Sequence, residues 1–455
     1  MWPLLLLGCS SAAPSPATIV ILAGQESDAF TRAPVPDHLT IDAVGIDGTS
    51  KQIARVAWPV DSFDIGDLDK SQTAAIAASL EDSADRPLLR GQTLYYSLAT
   101  LYGHDVPVFV GRVGEFSRPP GALPIARSGG ALGIISSQFL VVAGGSATLD
   151  ANGSAVPAST ISAYDLGAWN VVSASLQLPR SPTAMPIVLG EYALLIDETG
   201  ATWFDFATHD QAEATAPAGV SFADVSGGQV VFGDDGSAYV VGATRSSAAS
   251  DVVLRVRTDL TLEAEHLNTP RKGASATWLS GHGLVVAGGA ASGAGIEVLS
   301  QDASAFSNLA FPSDATSGAG AAGIDADRIV LVGGLNPADS SPSSTRLVDV
   351  SCTSTCAAAQ LDASPPLPVV NAAVYAVDTH AVLLVGDEQQ ADASSRTAAF
   401  LLEGIDSTPS ITEVALREPR QGALSVPLMG NTVGVLGGYS ADGTPVRSLE
   451  VFVRQ

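Results

Sequence analysis

Basic charge is scarce in this chain. Its 455 residues include 22 Lys and Arg against 47 Asp and Glu, a net charge of −25. No basic stripe remains to neutralise phosphates, which excludes nucleic acid as a partner. Charged residues of both signs make up only 15% of the chain, well below the usual quarter, and aromatics 6%. An apolar run long enough to cross a bilayer as a helix is missing, because the leucines of Met1 to Ser11 fall well short of about 20 residues. No sustained 3.6-residue period marks a long amphipathic helix. The chain has 3 cysteines and 6 histidines, and no GxSxG elbow, HExxH pair or EF-hand loop accompanies them.

Glycine is plentiful, at 45 residues, and much of it ends short β-branched runs. Val285-Val286-Ala287-Gly288-Gly289 is the clearest case. Val141-Val142-Ala143-Gly144-Gly145, Leu331-Val332-Gly333-Gly334 and Val435-Leu436-Gly437-Gly438 repeat it closely. Looser copies end on an acid: Leu384-Val385-Gly386-Asp387, Val231-Phe232-Gly233-Asp234 and Leu195-Ile196-Asp197. A continuous apolar run of this length reads as a strand covered on both faces. The glycines supply positive φ where strands crowd together. Copies spaced by roughly 50 residues predict an all-β chain built from one repeated unit.

The repeated pair resembles the diglycine of kelch repeats. In the first copy Tyr164 and Trp169 follow Gly144 and Gly145 in the spacing that kelch blades use. Val298 with Phe306, Val348, and Val451 with Phe452 stand in those places later on. The resemblance implies a degenerate kelch-like β-propeller of about seven blades over residues 123–455. It makes Gly144, Gly145, Gly288, Gly289, Gly333, Gly334, Gly437 and Gly438 the blade turns. Arg127, Arg180, Arg271 and Arg420 stand where kelch blades begin their innermost strand. Each either hydrogen-bonds a neighbouring blade's loop or joins a ligand-facing ring at one channel mouth. Related propellers of the galactose oxidase group hold copper with two Tyr, one of them cross-linked to Cys, and two His. Here His209, His266, His282 and His380 are scattered singly, so the likeness does not extend to copper chemistry.

Taken in order, residues 1–16 read as an export signal and tether. Leu6-Leu7-Gly8-Cys9 resembles a bacterial lipobox, which implies lipidation of Cys9, although no Lys or Arg precedes the leucines. A plain secretory signal is the alternative. Ser10 after Cys9 favours an outer-membrane or cell-surface destination, with the membrane contacted only through lipid. Residues 17–118 read as a separate β domain, with strands at Thr18 to Leu22, His38 to Val44, Ile53 to Trp58, Thr73 to Leu80, Thr93 to Leu101 and Val106 to Val110. Their number suggests an immunoglobulin-like sandwich. Arg118-Pro119-Pro120-Gly121 is expected to be the linker.

With Cys9 assigned to lipid, Cys352 and Cys356 remain as one pair, which an exported protein is expected to hold as a disulfide. Gly318-Ala319-Gly320-Ala321-Ala322-Gly323 spells GxGxxG, but it precedes a strand, where a dinucleotide loop must follow one. Asp61, Asp64, Asp67 and Asp69, Asp150-Ala151-Asn152-Gly153 and Asp234-Asp235-Gly236 are oxygen-rich. They suit either calcium or self-satisfied Asx turns. No cofactor is called for otherwise. The functional expectation is an exported, lipid-anchored scaffold that binds an envelope protein or glycan. The alternatives are a carbohydrate-active enzyme at the channel mouth and a structural module of an envelope complex.

Overall fold

The computed structural model describes residues 17–60, 62–65, 73–96, 104–123, 130–135, 137–149, 155–172, 176–361, 366–390 and 394–454. Apart from two single-turn 3-10 helices, the regular structure it describes is strand. None of the helices in the described residues is long and apolar enough to cross a membrane.

The N-terminal part is a sandwich of two sheets. One holds Ser62–Ile65, Ala17–Leu22 and Asp105–Phe109, the last two parallel. The other holds Ser50–Ala57, His38–Val44, Ala75–Glu81, Pro87–Gln92 and Gly111–Arg112, antiparallel throughout. Ile19, Val106 and Val108 from the first sheet meet Leu39, Ile41, Ile76, Leu80 and Leu89 from the second in one buried cluster. The strand order departs from the immunoglobulin arrangement. There the second and third strands lie in opposite sheets, whereas here His38–Val44 and Ser50–Ala57 form a hairpin within one sheet. A count of strands carries no information on their connection. The expected strand from Thr93 also shifts: the strand is Pro87–Gln92, and Thr93 to Tyr96 run on without pairing as strand.

Seven four-stranded antiparallel sheets follow among the described residues. Their first strands are Ala131–Ile135, Ile187–Leu189, Gln229–Phe232, Ser275–Leu279, Ser317–Gly323, Val369–Asp378 and Leu424–Pro427. Their second strands are Phe139–Ala143, Tyr192–Asp197, Ala238–Val241, Gly283–Ala287, Arg328–Leu335, Ala381–Gln389 and Val433–Leu436. Six of the glycine-ended or acid-ended runs are these second strands. The seventh is not: Val231 and Phe232 belong to the first strand of the third sheet, and the run ending that sheet's second strand is Tyr239-Val240-Val241-Gly242. Both runs are apolar and both meet glycine, so composition alone does not separate them.

Buried apolar clusters join the sheets in cyclic order. Val141 and Ala143 pack on Leu195 and Phe204, Leu194 and Ile196 on Val240 and Leu254, and Val241 and Val253 on Leu284 and Val286. Val285 and Val298 pack on Leu331 and Val348, Val332 on Leu384 and Phe400, and Leu383 and Leu401 on Val433 and Val435. The last sheet then meets the first, where Leu436, Leu449 and Val451 lie against Leu132, Leu140 and Tyr164. The fourth strand of that last sheet is Phe116–Ser117, which comes from the N-terminal side of the chain and pairs with Leu449–Phe452. Residues 116 and 117, within the span expected for the N-terminal domain, thus pair into the seventh sheet. Arg118 to Gly121 do not behave as a free linker. Gln25 Nε2 donates to the carbonyls of Pro119 (2.8 Å) and Gly121 (2.7 Å), and the Tyr164 hydroxyl to that of Pro120 (2.6 Å).

A channel between the first strands as the candidate functional site

Each first strand has a ladder partner on one side only, being terminal in its sheet. The seven face a common cavity of about 820 Å³, to which every one contributes. Small residues let the strands approach: a Cβ at Gly320 would stand 2.7 Å from the Ala372 carbonyl oxygen of the next sheet. The GxGxxG letters of residues 318–323 thus serve strand packing. A second, more open cavity of about 470 Å³ shares Thr277, Val374, Tyr375 and Pro427 with the first.

The lining is largely apolar. Ile134, Met185, Val188, Val230 and Phe232, from the first three sheets, present bulky apolar groups. Ala276, Ala319, Ala321 and Ala373 from the later sheets line it together with the bulkier Val374, Leu424 and Val426. Polar atoms come from Thr183, Gln229, Thr244, Ser246, Thr277, Asn371 and Ser425. Tyr375 shares a 2.9 Å hydrogen bond with Ser425, and burial of its hydroxyl pushes the phenol up to about 12. Among the described residues no acid, base or histidine lines this cavity. The adjoining second cavity is lined by one acid, Asp325, but within the first cavity an ion would find no counter-charge among the described residues. The described lining also offers no carboxylate pair of the kind that glycoside hydrolysis uses.

The arginines sit elsewhere. Arg271, the last residue of the third sheet's outer strand Leu262–Arg271, is fully buried and reaches into the fourth sheet. Its Nη1 donates to the carbonyls of Gly288 (2.8 Å) and Gly295 (2.9 Å), and its Nη2 to Ala294 O (2.6 Å) and Glu297 Oε1 (2.8 Å). Arg420, equally buried in the seventh sheet, donates to Gly437 O, Ser448 O and the Glu450 carboxylate. Burial pushes the Glu450 carboxyl up and the Arg420 guanidinium down, against the attraction between them. Arg180 bonds Thr202, Asp197 and Glu213. Arg127 lies outside the described residues. The three arginines that are described therefore donate mainly to the sheet that follows each of them in sequence, Arg271 reaching across from the third sheet to the fourth, and none of them lines the channel cavity. The reason is geometric: the carbonyls freed where a strand stops on two glycines must be satisfied, and the guanidinium fork reaches several of them at once. Sequence reading missed their acidic partners Glu297 and Glu450. The signal was an acid in the middle of an apolar third strand, Ile296-Glu297-Val298 and Leu449-Glu450-Val451.

All eight diglycine residues, Gly144, Gly145, Gly288, Gly289, Gly333, Gly334, Gly437 and Gly438, have positive φ. Cys352 and Cys356 are joined, with Cα atoms 5.8 Å apart. Cys9 lies outside the described residues, as do Asp61, Asp67, Asp69, Asp150 and Asn152. Asp64 accepts from Thr18. Asp234 accepts from Ser280, and Asp235 from Ser237 and from Arg255 Nη2 at 2.6 Å, so these oxygens already have donors. Among the described residues one group not foreseen, His38, Glu81 and Asp85, has metal-like spacing. Arg55 reaches into it, with Nη2 2.6 Å from His38 Nε2 and also bonded to Asp85.

No protein-family model and no curated protein matches the chain. It is similar to a solved structure described as "Structure of YjhT", with a TM-score of 0.39 and 12% identity over 73% of this chain and 96% of that one. It is similar also to "Crystal Structure of the N-terminal Domain of Nup159", with a TM-score of 0.40 and 12% identity over 75% of this chain and 94% of that one.

Proposed function

We propose that the chain is a seven-bladed, kelch-like β-propeller carried by a small β-sandwich, exported and anchored through lipid at Cys9, and that it works as a binding scaffold. The diglycine repeat and the cyclic succession of seven sheets support the propeller. The lipobox-like Leu6-Leu7-Gly8-Cys9 supports the anchor. The observation that carries the functional reading is that the described residues lining the channel cavity carry no charge. It favours a ligand that is itself neutral where it enters, such as a glycan or an uncharged stretch of protein, over an ionic substrate.

The test is a glycan array and equilibrium binding on the chain from Ala17 onward, with mass analysis of the same samples for products. Phe232 projects into the channel and is half exposed, so Phe232→Ala leaves stability nearly unchanged. The expectation is retention of a neutral ligand without turnover, weakened on the order of tenfold by Phe232→Ala. Release of shortened sugar would make the protein an enzyme. Retention indifferent to Phe232→Ala and Met185→Ala would move the site off the channel. The anchor is tested separately, by incorporation of labelled palmitate into the full chain and its loss in Cys9→Ser.

A further inference from the structure

A ring of sheets has one place where it must be sealed, the seam at which the last sheet meets the first. In this chain that seam is filled from outside by the N-terminal sandwich. Leu94 and Phe109 of the sandwich are buried in the same cluster as Leu140, Tyr164, Leu436 and Val451, and the Phe109 ring lies 5.0 Å from that of Trp169. Phe116–Ser117 completes the seventh sheet, with Phe116 5.7 Å from Phe452. Val113 bridges to Val453, and the Gly114 amide donates to the Val453 carbonyl at 2.8 Å.

Two ion bridges span the same junction. Glu115 accepts from Arg32 of the sandwich at 2.6 Å and from Arg417 of the seventh-sheet region at 2.5 Å, while Arg417 Nε donates to the Phe116 carbonyl at 2.6 Å. Arg118 joins Glu26 (2.9 Å) to Glu418 (2.6 Å). Gly24, at φ +72°, lets the sandwich backbone come so near that a Cβ there would stand 2.0 Å from Arg118 O.

We propose that the sandwich is the clasp of the ring: the seam between the seventh and first sheets opens only when the sandwich lets go, so the two parts unfold as one cooperative unit. Three independent kinds of contact converge on this one seam, a completed sheet, a shared apolar core and two charge bridges. A module tethered by a flexible linker has none of these. The consequence is that the channel is held at a set orientation relative to the sandwich.

The test is hydrogen exchange on the full chain with Ile41→Val and Ile41→Ala. Ile41 is fully buried in the sandwich core and belongs to none of the ring's clusters. The milder change is expected to speed exchange on the order of two- to tenfold in His38–Val44. If the sandwich is the clasp, amides of Val433–Leu436 and Phe139–Ala143 speed up by the same factor. Should Ile41→Ala unfold the sandwich, loss of protection at those two ring strands supports the clasp. Retained ring protection in either variant, with the sandwich amides alone exchanging faster, overturns it.

Discussion

Gly288 sits at φ +75°, and a Cβ there would stand 2.9 Å from the Thr316 carbonyl oxygen. A β-branched side chain meets both a disfavoured backbone region and a backbone atom that has no rotamer to yield. Gly288→Val is expected to cost about 2 kcal/mol or more, read from denaturant unfolding. A variant as stable as the parent would contradict the tight turn. The carbonyl of the same residue accepts from Arg271, whose pairing with Glu297 is sealed from water at both ends. Arg271→Ala strands a buried carboxylate and several carbonyls, and should destabilise by about 3–5 kcal/mol. Arg271→Met with Glu297→Leu removes both charges and should cost less than either single change. Arg180→Ala should cost less than Arg271→Ala, since one of its partners, Glu213, is largely exposed, but more than a surface pair, since the other, Asp197, is not. At this scale glycine and arginine were legible as residue types at fixed spacing. The arginines' role was not, because the acids that complete them lie 26 and 30 residues further on, on strands whose pairing only the fold establishes.

Strands of five or more apolar residues announce themselves; short ones do not. Six of the seven second strands were readable because burial on both faces leaves a continuous β-branched run. Phe116–Ser117 was not, since two residues carry no period, and the proline-rich step after them looked like a boundary. Yet Phe116 is fully buried, and its carbonyl takes the Arg417 guanidinium. Phe116→Ala is therefore expected to cost about 3–5 kcal/mol, like other buried aromatics cut back to alanine. Phe63→Ala, on the partly exposed three-stranded sheet of the sandwich, should cost less. Equal losses, measured by the same urea midpoint, would mean that the two-residue strand adds nothing beyond its volume. The sandwich shows the complementary limit: most of its strands were readable one by one, but their order was not. Alternation fixes which face is buried and is silent on which neighbour each strand takes.

Across the whole molecule the net charge of −25 sets two opposing pH effects. Self-repulsion at neutral pH destabilises the compact state and relaxes as carboxylates begin to protonate. Against it stand carboxylates held below their ordinary range. Burial pushes Asp314 up, but Arg346 and the Thr316 amide and hydroxyl outweigh it. Burial likewise raises Asp197 and Asp235, and hydroxyl and amide donors, with Arg180 and Arg255, bring both down. Exposed turn acids such as Asp47, Asp259, Asp339 and Asp442 are lowered by Ser or Thr hydroxyls and amides of their own turns. A carboxyl whose folded pKa lies below its unfolded value stabilises fully above the unfolded value, and that stability is lost as pH falls through the folded one. Glu450 and Glu265, raised chiefly by burial, act in the other direction and are few. Stability should therefore rise modestly from pH 8 to about pH 5 as repulsion eases, then fall steeply below about pH 4 as the turn and ion-pair carboxylates protonate. Added salt should raise the unfolding midpoint at pH 8 and have less effect near pH 5, because only the long-range repulsion is screened within about 10 Å. Midpoints measured across pH at two ionic strengths check both. A midpoint that kept rising below pH 4 would mean that repulsion, and not the satisfied aspartates at the turns, governs the stability of the ring.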